Sequence, residues 1–494
     1  MSLIAHPVIY EINTWVWLHD LSRKLGRPVT LMSVPEEEWD AVGSLGIDTL
    51  WLMGVWERST KGVRIARSDR GLQKEYALAL PDASAEDVVG SPYSVHRYQV
   101  EERLGGAAGL ALARGMLAAR GIALILDFVP NHAAVDHPWV NEHPEYFVQG
   151  RGEDLIRAPA EFFAAGGRIL ACGRDPFFPP WTDTAQLNAF HRGFRRAAAE
   201  TVVEIAAYCD GVRCDMAMLV VNAVFEKTWG KRVGAPPEEE FWEELIDAVR
   251  RQHPGFIFMA EAYWDLEWLL QQQGFDYCYD KRLYDRLRHG DAESLGLHLL
   301  ADPAYQNRLI RFIENHDEPR AAAAFSPAKN RAAAVVMATL PGAKLFHEGQ
   351  FEGRRIHLPV QLGRRPAEAP DKTLLAFYRK LLGLVRSPCL RGGAWFLCET
   401  VGWPDNPTHR NLLAWCWRGK DERALVVVNH SDHKSQGRVR VPWVELKGRT
   451  WLLEDLLSNR VYERSGDEIC EPGLFVDLDP HAFHVFVFSR SIPS

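Results

Sequence analysis

The segment Gly211-Val212-Arg213-Cys214-Asp215 places a guanidinium two residues before a carboxylate. It reads as a short strand, and residues two apart in a strand share a face. Arg213 and Asp215 therefore point the same way. A cation beside a carboxyl favours its ionised form, which suits a carboxylate that attacks as an anion. An ordinary structural ion pair has the same signature. What decides between the two readings is what other strand ends bring to the same place.

Three further segments end apolar, strand-like runs in polar groups. They are Asp127-Phe128-Val129-Pro130-Asn131-His132, Met259-Ala260-Glu261, and Ile313-Glu314-Asn315-His316-Asp317. Single carboxylates at strand ends mean little. Four ends carrying Asp127, Asp215, Glu261 and Asp317 into one place would make a site for acid–base and nucleophilic chemistry on two carboxyls.

The elements that would position them follow an alternating pattern. Strand candidates lie at 8–12, 49–53, 122–129, 211–217, 256–262, 275–279, 309–315 and 343–347, separated by helices or long crossovers. Helices are expected at 36–44, 107–120, 191–208, 238–252 and 371–386, the last capped by Asp371 and stopped before Pro388. Strand–helix alternation argues for a parallel sheet, and eight such units for a closed barrel. The expected fold class is α/β: a (β/α)8 TIM barrel over 1–132 and 189–387. A small inserted domain at 133–188 follows strand 3, dense in Pro, Gly and aromatics. A C-terminal antiparallel β-sandwich occupies 388–494, where short strands alternate with turns. The stretch from about 54 to 106 reads as long and irregular, and such stretches are usually functional or disordered.

Composition narrows the function. Hydrophobic residues make up 47% and charged residues 25% of 494, the balance of a globular protein. The net charge of -8 is spread without long runs, so neither nucleic acid nor a membrane is an expected partner. The N-terminus lacks the pattern of a signal peptide, and no apolar run is long enough to span a membrane. The eight cysteines include no CxxC pair and no Cys/His ligand spacing. Cys209, Cys214 and Cys278 read as buried thiols, and a cytoplasmic location is expected.

The four segments, in this order, resemble the conserved regions of the α-amylase family, glycoside hydrolase family 13. DFVPNH is similar to its first region, GVRCDMAML to the second, MAEA to the third and FIENHD to the fourth. The resemblance covers nearly the whole chain. It implies a retaining glycosidase, with Asp215 as nucleophile and Glu261 as general acid/base. It further implies Asp317 as the carboxylate that grips sugar hydroxyls, and Arg213 as the cation that keeps Asp215 ionised. His132 and His316 would bind hydroxyls at the cleavage subsite, and Asp127 would orient them. Such chemistry needs one carboxyl ionised and the other protonated at the start. The apolar neighbours Met259 and Ala260 are expected to help keep Glu261 protonated. Glu314, beside them, reads as a supporting ion-pair partner.

Three departures limit the inheritance. Many α-amylases follow the nucleophile with a Lys-His pair used in acceptor binding and at a calcium site. Here the stretch is Met216-Ala217-Met218-Leu219. Asn131 matches a frequent calcium ligand, but calcium prefers several oxygens together, and the rest of the set is not found. No cofactor is expected, and calcium is not favoured. The loop after strand 2 offers Tyr93 as a sugar-stacking platform and Tyr98 as a weaker one, with Arg97 beside them either ion-paired or selecting a charged sugar. The segment 57–90 is basic through Lys61, Arg64, Arg67 and Arg70, as a solvated lid or a flap over the cleft. Trp139 and Trp181 are further stacking candidates, or they hold the insertion together.

The reading is a retaining α-glycoside hydrolase acting on α-glucans or malto-oligosaccharides. A transglycosylase using the same covalent intermediate is the alternative, and a non-catalytic carbohydrate-binding homologue a remote one. Linkage, chain length, acceptor and oligomeric state are not written in the sequence.

Overall fold

In the computed structural model, residues 5–490 are described. Eight parallel strands close into a barrel. In chain order they are β1 (Val8–Asn13), β2 (Thr49–Met53), β3 (Ala123–Phe128), β4 (Gly211–Cys214), β5 (Ile257–Ala260), β6 (Tyr277–Tyr279), β7 (Leu309–Arg311) and β8 (Ala343–His347). Around the ring, β1 is flanked by β2 and β8, and each strand neighbours the next in sequence. This is the TIM barrel expected from the alternation of strands and helices.

Apolar runs buried on both faces explain why these segments pair. Every residue of β2, β3, β4 and β5 is buried, as parallel strands covered by helices require. Gly211 opens β4 because nothing larger fits: a Cβ there would lie 2.5 Å from Cβ of Ile257 and 2.8 Å from Ile125. That close approach sets the register. Gly211 faces Ile125 and Ile257, so Arg213 faces Asp127 on one side and Met259 on the other.

By compactness the chain divides into two units. The first takes in Ile9–Tyr279 and His357–Ala367, the second Asp280–Ile356 and the chain from Glu368 on. Within the first, an antiparallel sheet of His132–Ala134, Trp181–Gln186, Arg168–Gly173 and Phe162–Ala165 follows β3. Within the second, a six-stranded and a three-stranded antiparallel sheet lie beyond the barrel. Leu425, Val427 and Phe486 from one sheet share a buried cluster with Val439, Val476 and Leu478 from the other. Two sheets with one apolar core between them make a sandwich.

The expected helix at 371–386 spans Lys372–Val385, and Asp371 accepts from the amides of Thr373 and Leu374. Three expectations are corrected. The stretch after β2 is not irregular. Helices Thr60–Ser68 and Arg70–Ala79 follow each other there, capped by Ser59 and Asp69, beside a hairpin of Trp56–Arg58 and Val95–Val100. A helix at Thr14–Leu25, capped by Asn13 and closed by a left-handed Gly26, was not anticipated. Strand β7 ends at Arg311, so Glu314 to Asp317 lie in the loop beyond it.

None of the eight cysteines is in a disulfide, and Cys209, Cys214 and Cys278 are buried. Among the described residues no helix is long and apolar enough to cross a membrane.

Candidate active site

Arg213 is the hub of the first unit's polar centre. It is 1% exposed, and its guanidinium reaches three carboxylates. Nη1 donates to Oδ1 of Asp215 at 2.8 Å and lies 3.6 Å from Oδ1 of Asp127. Nη2 lies 2.7 Å from Oε2 of Glu261. The β3–β4–β5 register delivers this arrangement. Asp127 sits beside Arg213 in the ladder, and Asp215 and Glu261 each stand one residue past a strand end. The amide of Asp215 donates to Phe128 at 2.8 Å and that of Glu261 to Cys214 at 3.0 Å, so both carboxyls leave fixed backbone.

Burial opposes the charge on Arg213, but Glu261, Tyr93, Tyr279 and Asp215 outweigh it and raise its pKa well above the usual value. It is therefore a permanent cation. Trp51 and Tyr93 each lie with ring centroids 5.1 Å from its guanidinium carbon, and Tyr279 at 5.8 Å. Nε also donates to the Tyr279 hydroxyl at 3.4 Å.

Glu261, 2% exposed, is surrounded by donors. Besides Arg213 it accepts from the amide of Met216 at 2.6 Å and the hydroxyl of Tyr263 at 2.8 Å. Met259 and Ala260 are buried and apolar as expected, but they do not form this immediate shell. Donors of this kind favour the carboxylate over the acid. The Met216 contact depends on an unusual backbone. Met216 is left-handed (φ 43, ψ 47), a conformation that costs a non-glycine residue about 1–3 kcal/mol and clusters at functional sites. Residues Ala217 to Val220 then form a buried apolar turn where many α-amylases carry Lys and His.

Asp127 accepts from the amide of Gly54 at 3.2 Å. His132 is buried, with Asn131 at 3.4 Å and the ring of Trp181 at 4.9 Å. Burial lowers its pKa to about 4, so it is a neutral imidazole at pH 7. Gln186 donates to both Oδ1 and the carbonyl of Asn131, at 2.9 and 2.8 Å. Among the described residues no group of His, Cys, Asp and Glu is arranged to hold a metal ion.

Tyr98 is not a platform: its hydroxyl bonds the backbone of Val129, and its ring packs on Trp56 and Phe128. Trp139 packs on His137, Tyr146 and Phe194 and holds the insertion together. Instead, Phe177 and Phe178 are exposed on the insertion, with Phe177 edge-on to Trp264 at 5.0 Å.

In the second unit, His316 is buried with Nε2 3.0 Å from Oδ2 of Asp317, whose side chain is 43% exposed. Asn315 caps the turn by accepting from the amides of Asp317 and Glu318. Glu314 is fully buried against Arg320, His347 and the amide of Ala321, the supporting role expected of it. Among the groups around Arg213 and its carboxylates, Trp51 and Tyr279 against the guanidinium, Gly54 on Asp127 and Tyr263 on Glu261 were not anticipated. Tyr263 lies two residues after Glu261, the one signal that could have singled it out.

His132 is one of several buried histidines with lowered pKa. Burial takes His6 and His137 to about 3 and His430 to about 4. Their folded values lie below the unfolded value of 6.5, so the stability they permit is full above pH 6.5. It is lost as pH falls from there toward 4, where the unfolded chain takes up protons the fold refuses. The melting temperature should therefore drop across this window, and His132→Asn should flatten part of the drop in calorimetric scans. An unchanged profile would mean these imidazoles are charged in the fold.

No family model matches the chain. The chain is 27% identical over 325 residues to the α-amylase MalA of Haloarcula japonica, covering 63% of this chain and 43% of that one. It is 26% identical over 186 residues to an α-1,4-glucan:maltose-1-phosphate maltosyltransferase of Cereibacter sphaeroides, covering 36% and 23%. The alignments thus span less than half the length of these curated relatives. Among solved structures, a noncanonic maltogenic α-amylase of Thermotoga neapolitana superposes with TM-score 0.68 at 17% identity, covering 98% of both chains. An α-amylase of Lactobacillus plantarum gives 0.69 at 17% identity, covering 98% and 99%. The fold is that of α-amylases over essentially the whole chain.

Proposed function

We propose that this chain is a retaining α-glycoside hydrolase of the α-amylase family, acting on α-glucans or malto-oligosaccharides through a covalent glycosyl-enzyme. The observation that carries the reading is one buried guanidinium holding Asp215 and Glu261 together. Two carboxyls on one guanidinium suit the short gap of about 5–5.5 Å of retaining enzymes better than the about 6.5–9.5 Å of inverting ones.

Asp215, paired with a permanent cation, is the nucleophile and attacks the anomeric carbon. Glu261 gives its proton to the leaving oxygen, then takes one from water as the ester is cleaved. The Tyr263 hydroxyl orients it. Asp317, from the loop after β7, grips ring hydroxyls together with His316, and His132 binds as a neutral imidazole. Asp127 is a positioning residue behind Arg213. Tyr93, fixed on Arg213, and the exposed Phe177 and Trp264 supply flat apolar surface for sugar rings. We assign no metal to this centre. Eight cysteines outside any disulfide are in keeping with a reducing, cytoplasmic compartment.

One observation favours transfer to an acceptor sugar or phosphate as the second reading. The buried apolar turn Ala217–Val220 replaces polar groups beside the nucleophile, and a drier acceptor side disfavours water. The test is product analysis from maltotriose, pullulan, sucrose and trehalose, with and without phosphate and in the presence of a chelator. Glucose and maltose alone are expected. Longer oligosaccharides or a sugar phosphate would replace hydrolysis by transfer, and loss of activity in the chelator would overturn the metal-free assignment.

A further inference from the structure

A second polar cleft lies in the first unit, between helix Thr60–Ser68 and the hairpin Trp56–Arg58/Val95–Val100. It encloses about 790 Å³, within the range of small-molecule sites. Its charged lining is Arg58, Arg64, Arg67, Arg97 and Arg103 against Glu57, Glu101 and Glu102. Five cations face three anions, and one of each is already spent on the other, leaving four cations against two anions. Arg103 donates to both oxygens of Glu101, at 2.8 and 3.2 Å. Val63, Arg64 and Arg67 line the cleft from one face of their helix, as spacings of three and four dictate. Arg64 and Arg97 are exposed and make no ion pair among the described residues.

Arg58 is what turns a basic surface into a built site. It is 4% exposed, yet Nε and Nη2 are buried with no hydrogen-bond partner among the described residues. Only Nη1 is engaged, donating to the carbonyl of Gly90 at 2.5 Å. Burial pulls its pKa down to about 9, with Glu101 only partly offsetting this. A buried guanidinium with two idle nitrogens costs several kcal/mol unless an anion meets it. Arg58 also packs on Gly54, where a Cβ would lie 2.6 Å from Nη2. The amide of Gly54 in turn donates to Asp127 at 3.2 Å.

We propose that this cleft is a binding site for a small phosphate-bearing molecule, a sugar phosphate, whose phosphate is held by Arg58, Arg64 and Arg97. Guanidinium forks match phosphate oxygens two at a time, and several of them around one cavity suit a dianion. The remainder of the cavity, walled by Val63, Val100, Ala107 and Tyr208, accommodates the rest of the molecule. Trp15 lies under both Arg58 and Arg103, at 5.3 and 4.6 Å, and reports occupancy through its fluorescence.

The test is titration of the full chain with glucose 6-phosphate, inorganic phosphate, glucuronate and glucose, by calorimetry and tryptophan fluorescence. Glucose 6-phosphate is expected to saturate and to bind at least about tenfold more tightly than glucose or glucuronate. Arg64→Glu with Arg97→Glu should weaken it at least about tenfold while leaving the melting temperature unchanged. If the double variant melts early, either single exchange serves. Equal binding of glucuronate would overturn the phosphate assignment. Undiminished binding in the folded variants would place the anion elsewhere, and no saturable binding of either phosphate at millimolar concentration would remove the site altogether.

Discussion

Replacing Asp215 with alanine is expected to lower kcat/KM for maltotriose by at least about ten-thousandfold, with KM changing far less. The size follows from what the side chain supplies. Without it no glycosyl-enzyme forms, and the remaining groups only position the sugar. The fold should survive. Asp215 stands one residue past β4, and Arg213 keeps Glu261 and Asp127 as counter-ions. Azide then distinguishes the two carboxyls. With an activated α-glycoside, azide should restore turnover of Asp215→Ala by attacking the vacated face, giving the β-glycosyl azide. In Glu261→Ala it should intercept the glycosyl-enzyme and give the α-azide. The opposite pairing would exchange the two roles, and full activity in Asp215→Ala would end the nucleophile assignment.

The barrel was legible because its strands are apolar runs spaced by helices, and this pattern is written residue by residue. Asp127, Asp215 and Glu261 were legible because each sits at or beside the end of such a run. The arginine–carboxylate spacing in GVRCD translates directly into the shared face and the 2.8 Å contact. What could not be read is what depends on distant chain. Tyr279 and Trp51 reach Arg213 from strands β6 and β2, and neither carries a local signal for that role. The left-handed turn at Met216 is invisible in a Met, since the conformation is normally marked by Gly or Asn. Strand β7 was drawn too long because Phe312 to Asn315 are buried without pairing in the ladder, and burial alone reads as strand. The helices at Thr60–Ser68 and Arg70–Ala79 were missed because Gly and Arg mask their apolar positions. Their caps, Ser59 and Asp69, were in plain view.

Arg213→Met should destabilise the protein by about 3–5 kcal/mol at neutral pH, the usual cost of removing one partner from a buried ion cluster. Methionine nearly fills the volume, so the loss isolates charge and hydrogen bonds from packing. Three carboxylates then face one another with no cation: Asp215 at 2.8 Å, Glu261 at 2.7 Å and Asp127 at 3.6 Å from the lost nitrogens. The pH dependence has a definite sign. The pKa of Arg213 is raised above its unfolded value, so its own titration removes stabilisation only in strong alkali. The arginine itself therefore does not titrate in the working range. The carboxylates do. A carboxylate held by a cation stays ionised in the fold below its unfolded range near 4, so the hold is full above that range and is lost only as pH falls below it. The melting-temperature gap between wild type and Arg213→Met should thus be widest at neutral pH and narrow as pH falls below about 4. Arg213→Lys keeps the charge but not the fork, since one ammonium cannot span Nη1 and Nη2 contacts. It should recover much of the stability while leaving activity at least about a hundredfold down, because Asp215 and Glu261 lose their common anchor. A lysine variant with full activity would show that the charge alone suffices; a constant gap between wild type and Arg213→Met at every pH would mean the carboxylates were not what the guanidinium stabilised.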